Sequence, residues 1–184
     1  VNTFLLRIMA GHFDNVKALA VSHNGKHILS GSSDKNMKLW DLQTGKQIHT
    51  FEGHEGTIHT VLFISEEQAV SASEDGTLKL WNLKSYECLH TFEGHNCPIY
   101  AAAFIRERMQ VISGGADGRL KIWDLQNRRC IFNLQAHKNS INDIAVSSEV
   151  MSVISASSDK TLKLWNLESG KLIGRFKGHS DQVY

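Results

Sequence analysis

The chain has 184 residues, 41% hydrophobic and 21% charged, with 20 Lys plus Arg against 19 Asp plus Glu and a formal net charge of +1. That balance is typical of a soluble globular protein, and it offers no basic excess for a phosphate backbone, so no direct nucleic-acid partner is expected. No apolar run is long enough to cross a bilayer, so no membrane insertion is expected, and no signal-peptide pattern opens the chain; three cysteines and no N-x-[ST] sequon favour an intracellular setting, cytoplasmic or nuclear.

In chain order, residues 4 to 10 lead into a Gly-His at 11–12. Four short segments follow, VKALAV, HILSGS, MKLW and QIHTF, each rich in apolar or β-favouring residues. SHNGK and QTGK between them supply Asn and Gly for tight turns. The fourth segment runs into HTFEGH at 49–54, and the same six letters recur at 90–95. Further on, SEDGT and GADGR place Asp-Gly between predicted strands. Each stretch of about 40 residues therefore predicts an antiparallel meander of four strands. Leu78, Leu80 and Trp81 make TLKLW apolar on both faces, so each small sheet should be covered on both sides by its neighbours.

The beat is regular. Gly-His occurs at 11–12, 53–54, 94–95 and 178–179, with Ala136-His137 in the gap. The only tryptophans are Trp40, Trp81, Trp123 and Trp165, spaced by 41 or 42 residues, and each is followed by Asp or Asn and then Leu. Six residues before each Trp stands an Asp, and four before that a Ser.

This pattern resembles the WD40 repeat of β-propellers over essentially the whole chain. The resemblance implies an all-β WD40 β-propeller fragment of four-stranded antiparallel blades around a central axis. Complete repeats are expected at about 11–52, 53–93, 94–135 and 136–177, with another repeat beginning at 178–184. FLLRIMAGH aligns with KQIHTFEGH, so residues 4–10, Leu5 to Met9 among them, are expected to be the outer strand of a preceding blade. Four repeats fall short of the usual WD40 ring, so the ring is expected to be incomplete. Ala136 in place of Gly is one departure from the pattern.

The resemblance also implies a buried polar chain in each blade: His12, Ser30, Asp34, Trp40; His54, Ser71, Asp75, Trp81; His95, Ser113, Asp117, Trp123; and His137, Ser155, Asp159, Trp165. Donor chemistry supports it independently. An indole only donates, a hydroxyl does both, a neutral imidazole does one of each, and a carboxylate only accepts. Ser, His and Asp are also the members of a hydrolase triad, but catalysis needs one constellation, whereas this chain has four and no G-x-S-x-G elbow. No catalytic residues are expected.

No C-x-x-C gathers zinc ligands, and five of the ten histidines belong to the repeat, so no metal is expected. Cys88 and Cys130 hold equivalent positions on different blades, too far apart for a disulfide, and Cys97 is read as a bystander thiol in a loop. Without a G-x-x-x-x-G-K-[ST] loop, no nucleotide or other cofactor is expected. Glu66 and Glu67 read as a solvated turn.

The expected function is a non-catalytic protein–protein interaction scaffold, with proteins or peptides as partners. Alternatives are a reader gripping a short peptide or modified side chain in the central funnel, and the regulatory or sensor propeller of a larger signalling protein. By resemblance, the funnel rim carries two sets of positions. One is Lys17, His59, Tyr100 and Asn142, where the repeat writes four different residues; the other is Ser33, Glu74, Ala116 and Ser158.

Overall fold

A computed structural model of the chain describes residues 8–147 and 151–183. Among these residues lie four antiparallel sheets, each a meander of four consecutive strands. The first holds β1 (Val16–Val21), β2 (His27–Ser32), β3 (Met37–Asp41) and β4 (Gln47–Phe51). The second holds β5 (Ile58–Phe63), β6 (Gln68–Ser73), β7 (Leu78–Asn82) and β8 (Cys88–Phe92). The third holds β9 (Ile99–Ile105), β10 (Gln110–Gly115), β11 (Arg119–Asp124) and β12 (Arg129–Gln135), with a single 3-10 turn at Arg106–Arg108. The fourth holds β13 (Ile141–Ser147), β14 (Ser152–Ser157), β15 (Thr161–Asn166) and β16 (Leu172–Lys177). The expected strand at 4–10 falls mostly on residues 1–7, outside the described ones, and Ile8, Met9 and Ala10 carry no strand. Residues 178–183 carry no strand either, but they lie against the fourth sheet: Asn142 Nδ2 donates to the Val183 carbonyl at 2.6 Å and Lys160 Nζ to the Ser180 carbonyl at 2.8 Å.

The turns explain the residue that follows each Trp. Asp41 Oδ1 accepts the Thr44 N–H at 2.6 Å, Asn82 Oδ1 accepts those of Lys84 and Ser85, Asp124 Oδ1 those of Gln126 and Asn127, and Asn166 Oδ1 those of Glu168 and Ser169. Only a side-chain oxygen two to three residues ahead is needed, so Asp and Asn serve equally.

The cores lie between sheets rather than within them. One packs Leu29, Met37 and Leu39 against Ile58, Val61 and Trp81; a second packs Val70, Leu78 and Leu80 against Ile99 and Trp123; a third packs Ile112, Leu120 and Ile122 against Ile141, Ile144 and Trp165. Neighbouring residues of a strand serve different cores, as Ala69 and Val70 do on β6, because successive side chains point to opposite faces. The Phe in HTF closes the first two joints, and Leu134 takes its place at the third. Phe51 meets Trp81 edge-on at 5.4 Å and Phe92 meets Trp123 at 5.7 Å. At the array's two ends the same apolar positions are open among the described residues: Leu19 on β1 and Phe176 on β16 are 71% and 51% exposed.

The innermost strands of the second, third and fourth sheets each open with a plug. Ile58, Ile99 and Ile141 are essentially fully buried, each seated on the preceding sheet, where the second strand carries Gly31, Ala72 or Gly114. A Cβ at Gly114 would stand 2.5 Å from Ile141 Cγ2, and one at Gly31 2.5 Å from Ile58 Cγ2. Gly114→Val should therefore overpack the joint between the third and fourth sheets and destabilise the chain by about 1–3 kcal/mol. Urea denaturation checks this, and a midpoint equal to the parent's would contradict the close approach.

Candidate functional site

The repeat's polar residues come together in all four sheets. In the first, the Trp40 indole donates to Ser30 Oγ at 2.8 Å, the Ser30 hydroxyl lies 2.6 Å from His12 Nε2, and His12 Nδ1 lies 2.7 Å from Asp34 Oδ2. Corresponding distances are 2.8, 2.7 and 2.7 Å for Trp81, Ser71, His54 and Asp75. They are 2.7, 2.9 and 3.2 Å for Trp123, Ser113, His95 and Asp117, and 3.0, 2.8 and 3.0 Å for Trp165, Ser155, His137 and Asp159. Because the carboxylate only accepts, the imidazole proton belongs on Nδ1, and Nε2 then accepts the serine hydroxyl. Ser30, Ser71, Ser113 and Ser155 are buried and committed to two partners each, so none is placed as a nucleophile.

Electrostatics follow from burial and from these bonds. Burial holds His95 and His137 below the ordinary imidazole range, although Asp117 and Asp159 beside them oppose it. Burial by itself would raise Asp159, but hydrogen bonds from Thr161 and His137 outweigh it and hold the carboxyl at about 2. Asp75 is lowered in the same way, against its burial, by His54, Thr77 and the Glu55 N–H.

A repeated residue that the sequence reading passed over also sits here. Lys38, Lys79, Lys121 and Lys163 each stand two residues before the Trp and opposite the repeat Ser. Lys38 Nζ donates to Thr50 Oγ1 at 2.7 Å and Lys79 Nζ to Thr91 Oγ1 at 2.9 Å. Lys163 Nζ donates to the Ala136 carbonyl and stands 5.8 Å over the Trp165 ring. The constant offset was a signal, but a lysine two residues from a strand's Trp reads as solvent-facing until the outer strand and the entering loop are in place.

The rim positions have a shared backbone cause. β1 pairs Val16 with Ser32 and Ala18 with Gly31, leaving Lys17 as the extra residue of a bulge. His59, Tyr100 and Asn142 are the extra residues at the matching shifts in the other sheets. A bulge releases a side chain from the alternation of its strand and re-aims it. The second set is tied to the same rim: the N–H groups of Ser33, Glu74, Ala116 and Ser158 donate to the carbonyls of Asn15, Thr57, Pro98 and Ser140, just before each innermost strand.

Of these eight residues, His59, Tyr100, Asn142 and Ser158 line one open cleft of about 390 Å³. Ser140 and Gln182 complete it, and neither was anticipated from the sequence. The His59 and Tyr100 rings meet edge to face at 5.3 Å, and Asn142 Nδ2 donates to Ser158 Oγ at 3.0 Å. Lys17, Ser33, Glu74 and Ala116 do not line it. Lys17 and Glu74 act on His59 through charge: burial lowers its pKa, Lys17 adds to that and Glu74 opposes it. His59 Nε2 is a buried nitrogen with no hydrogen-bond partner among the described residues.

The remaining candidates are scattered. Cys88 and Cys130 are exposed and sit across from Trp81 and Trp123, on separate sheets. Glu66 and Glu67 lie exposed in the β5–β6 turn, at the end of β5 away from the rim, where Glu66 accepts the Asn24 N–H at 3.1 Å. An H-x-x-x-H spacing occurs at His23, in the β1–β2 turn, and His27, the first residue of β2, not on a helix, so the interval does not put both imidazoles on one helical face. Cys97 is half-buried beside His95 and Asp117.

Two measurements test the polar chain. Trp123→Phe leaves Ser113 without its indole donor, and His95→Ala removes a partner from both Ser113 and Asp117. Each should cost about 1–3 kcal/mol of stability in denaturant melts, and midpoints equal to the parent's would show that the chain contributes nothing. The second is a pH series. Near pH 6.5 the unfolded chain takes up protons that buried His95 and His137 resist, so stability should fall as pH drops below about 6.5. The contribution of Asp159 is present above about 3.8 and is lost only as pH falls toward about 2. A urea midpoint that is flat between about pH 7.5 and 5 would contradict the histidine effect.

Comparison with known proteins adds three kinds of relative. A 61-residue stretch is 39% identical to the probable E3 ubiquitin ligase complex SCF subunit sconB of Arthroderma otae, covering 33% of this chain and 9% of that protein. A 66-residue stretch is 46% identical to the nuclear distribution protein PAC1 of Candida tropicalis, covering 33% of this chain and 14% of that protein. A 62-residue stretch is 29% identical to dynein assembly factor with WD repeat domains 1 of Mus musculus, covering 34% and 15%. Each match thus spans a small part of the relative's length. The WD domain, G-beta repeat family matches residues 3–41, 45–82, 86–124 and 128–166, most of the chain. With four such matches on four four-stranded sheets, the chain belongs to the WD40 family.

Proposed function

We propose that the chain is a non-catalytic interaction scaffold whose rim of re-aimed side chains docks partner proteins or peptides inside the cell. One observation carries this reading: the framework residues are locked into hydrogen bonds, while bulge residues of three successive sheets, His59, Tyr100 and Asn142, converge on one cleft. Tyr100 is the anchor, because a tyrosine combines a large apolar ring with a polar tip and such residues dominate interface energies. Glu74 and Lys17 flank the cleft with opposite charge and contribute orientation more than affinity. The names of the relatives, a complex subunit and an assembly factor among them, support an assembly role. The near-neutral charge supports protein rather than nucleic acid as the partner.

The convergence of His59, Tyr100 and Asn142 on a single cleft also fits a second, narrower reading, in which that cleft holds one short peptide. The two readings differ in partner number: many partners of modest affinity for a scaffold, one saturable peptide for a reader.

The test is a binding comparison. Partners captured by the parent chain are purified and their affinities measured against Tyr100→Ala, Glu74→Ala and Glu67→Ala. Tyr100→Ala should weaken a rim partner by about 2 kcal/mol or more. Glu67→Ala, in the turn at the opposite end of β5, should leave it unchanged. Equal affinities for the parent, Tyr100→Ala and Glu74→Ala toward every partner would rule the rim out.

A further inference from the structure

We propose that His95, Cys97 and Asp117 form a zinc-binding site on the third sheet, the one place where the repeat's polar chain is rebuilt around ligand atoms. His95 Nδ1, Cys97 Sγ and an Asp117 carboxylate oxygen lie within 4.8 Å of one another, and no other group of three such donors occurs among the described residues. His95 Nδ1 and Asp117 Oδ2 are 3.2 Å apart. An imidazole nitrogen, a thiolate and a carboxylate oxygen are the donors zinc accepts, and three of them leave a fourth tetrahedral position for water. The expectation of no metal rested on short spacings such as C-x-x-C. Here the ligands come from two loops 22 residues apart along the chain, which no such spacing captures.

Comparison with the other three sheets shows what has changed. Two residues before the Asp they carry Ser32, Ser73 and Ser157, and each hydroxyl accepts the N–H of that Asp. Each also donates to the carbonyl of the residue matching Cys97, namely Asp14, Gly56 or Asn139. The third sheet has Gly115 at this position. A Cβ there would stand 2.7 Å from the Pro98 carbonyl oxygen, with His95 Nδ1 at 3.3 Å and Asp117 Oδ1 at 3.5 Å, so the glycine lets the loop that bears Cys97 pack closely over the strand, beside the ligand atoms. Thr77 and Thr161 close off the carboxylate in their sheets by donating to Asp75 and Asp159 Oδ1, whereas Arg119 stands at that position here and has no hydroxyl. Accordingly the Asp117 side chain is 26% exposed, against 6%, 11% and 7% for Asp34, Asp75 and Asp159. The loop bearing Cys97 is held in place by close approach to the second sheet, where a Cβ on Gly76 would meet the His95 carbonyl at 2.5 Å and the Cys97 carbonyl at 3.1 Å.

The rest of the polar chain supplies the support a metal-bound histidine needs. His95 Nε2 lies 2.9 Å from Ser113 Oγ, which also holds the Trp123 indole. With zinc on Nδ1, the single imidazole proton moves to Nε2 and is donated to Ser113 Oγ, orienting the ring. The Ser113 hydroxyl proton, released from Nε2, then turns to the backbone of the paired strand: Ser113 faces Lys121 as Ser155 faces Lys163, whose carbonyl lies 3.5 Å from Ser155 Oγ. Binding releases one proton, that of the Cys97 thiol, to solvent.

Cobalt and zinc titrations of the reduced chain test the site. One cobalt per chain should produce a thiolate-to-cobalt charge-transfer band in the near ultraviolet, and zinc should displace it. Cys97→Ser should abolish the band without altering the circular dichroism of the fold, while Cys88→Ser and Cys130→Ser should keep it. Gly115→Ala, whose methyl group would push on the Pro98 carbonyl and displace the loop that carries Cys97, should weaken zinc binding by about ten-fold or more. No thiolate band with cobalt, a band that survives in Cys97→Ser, or undiminished zinc affinity in Gly115→Ala would each overturn the assignment.

Discussion

The arrangement depends on one constraint: an indole N–H buried in each sheet must find an acceptor. Ser Oγ is that acceptor, and its remaining proton needs a lone pair, which the imidazole Nε2 offers. The imidazole's own proton then needs an acceptor, which the Asp provides. Every link is obligatory once the first is buried, because an unpaired polar group away from water costs about 1–3 kcal/mol. The four members sit on the third strand, the second strand, the loop entering the sheet and the turn between the two strands. Satisfying the indole therefore sets the path of the whole repeat.

Packing between sheets takes over where this chain of bonds ends. A four-stranded sheet of this size has two apolar faces and cannot cover either by itself. At each of the three joints the next sheet covers one face through an isoleucine plug on a small residue of the second strand and alternate core side chains assigned to opposite joints. A phenylalanine sits on the neighbour's tryptophan at the first two joints, with Leu134 in its place at the third. Volume is matched at the plug, where Gly31 and Gly114 admit an isoleucine that even a methyl group would obstruct. This explains why HTFEGH can be written twice: its Phe serves the next tryptophan, its final His serves the next polar chain, and both requirements are identical at successive joints.

Rigidity at these joints is what gives the rim its meaning. The bulge at the start of each innermost strand leaves one residue per sheet outside the ladder, so that residue answers to no packing rule and differs in every copy. The third sheet departs further. Gly115 and Arg119 replace residues that elsewhere brace the Asp, Cys97 adds a thiol beside it, and the polar chain there is looser and more open to solvent. One motif thus carries two chemical characters, a closed brace in the first, second and fourth sheets and a set of converging ligand atoms in the third.

The sequence by itself determined the repeat, its strand content, the membership of each polar set and the family, because those features recur at constant offsets and each copy is a local meander. It also pointed to Lys17, His59, Tyr100 and Asn142 as positions released from the repeat. Only the tertiary structure decided which of them meet. His59, Tyr100 and Asn142 share a cleft with Ser140 and Gln182 because successive innermost strands lie side by side, a proximity that 41- and 42-residue spacings do not encode. The repeat lysines, two of them buried and two half-buried, escaped notice for the same reason, since their partners come from the outer strand or the loop entering the sheet. Cys97 had no periodic partner to announce it, and its nearness to Asp117 arises from two loops folding over one another. Recurrence along the chain reveals what every repeat must do, whereas what a single repeat does differently becomes physical only when its neighbours are in place.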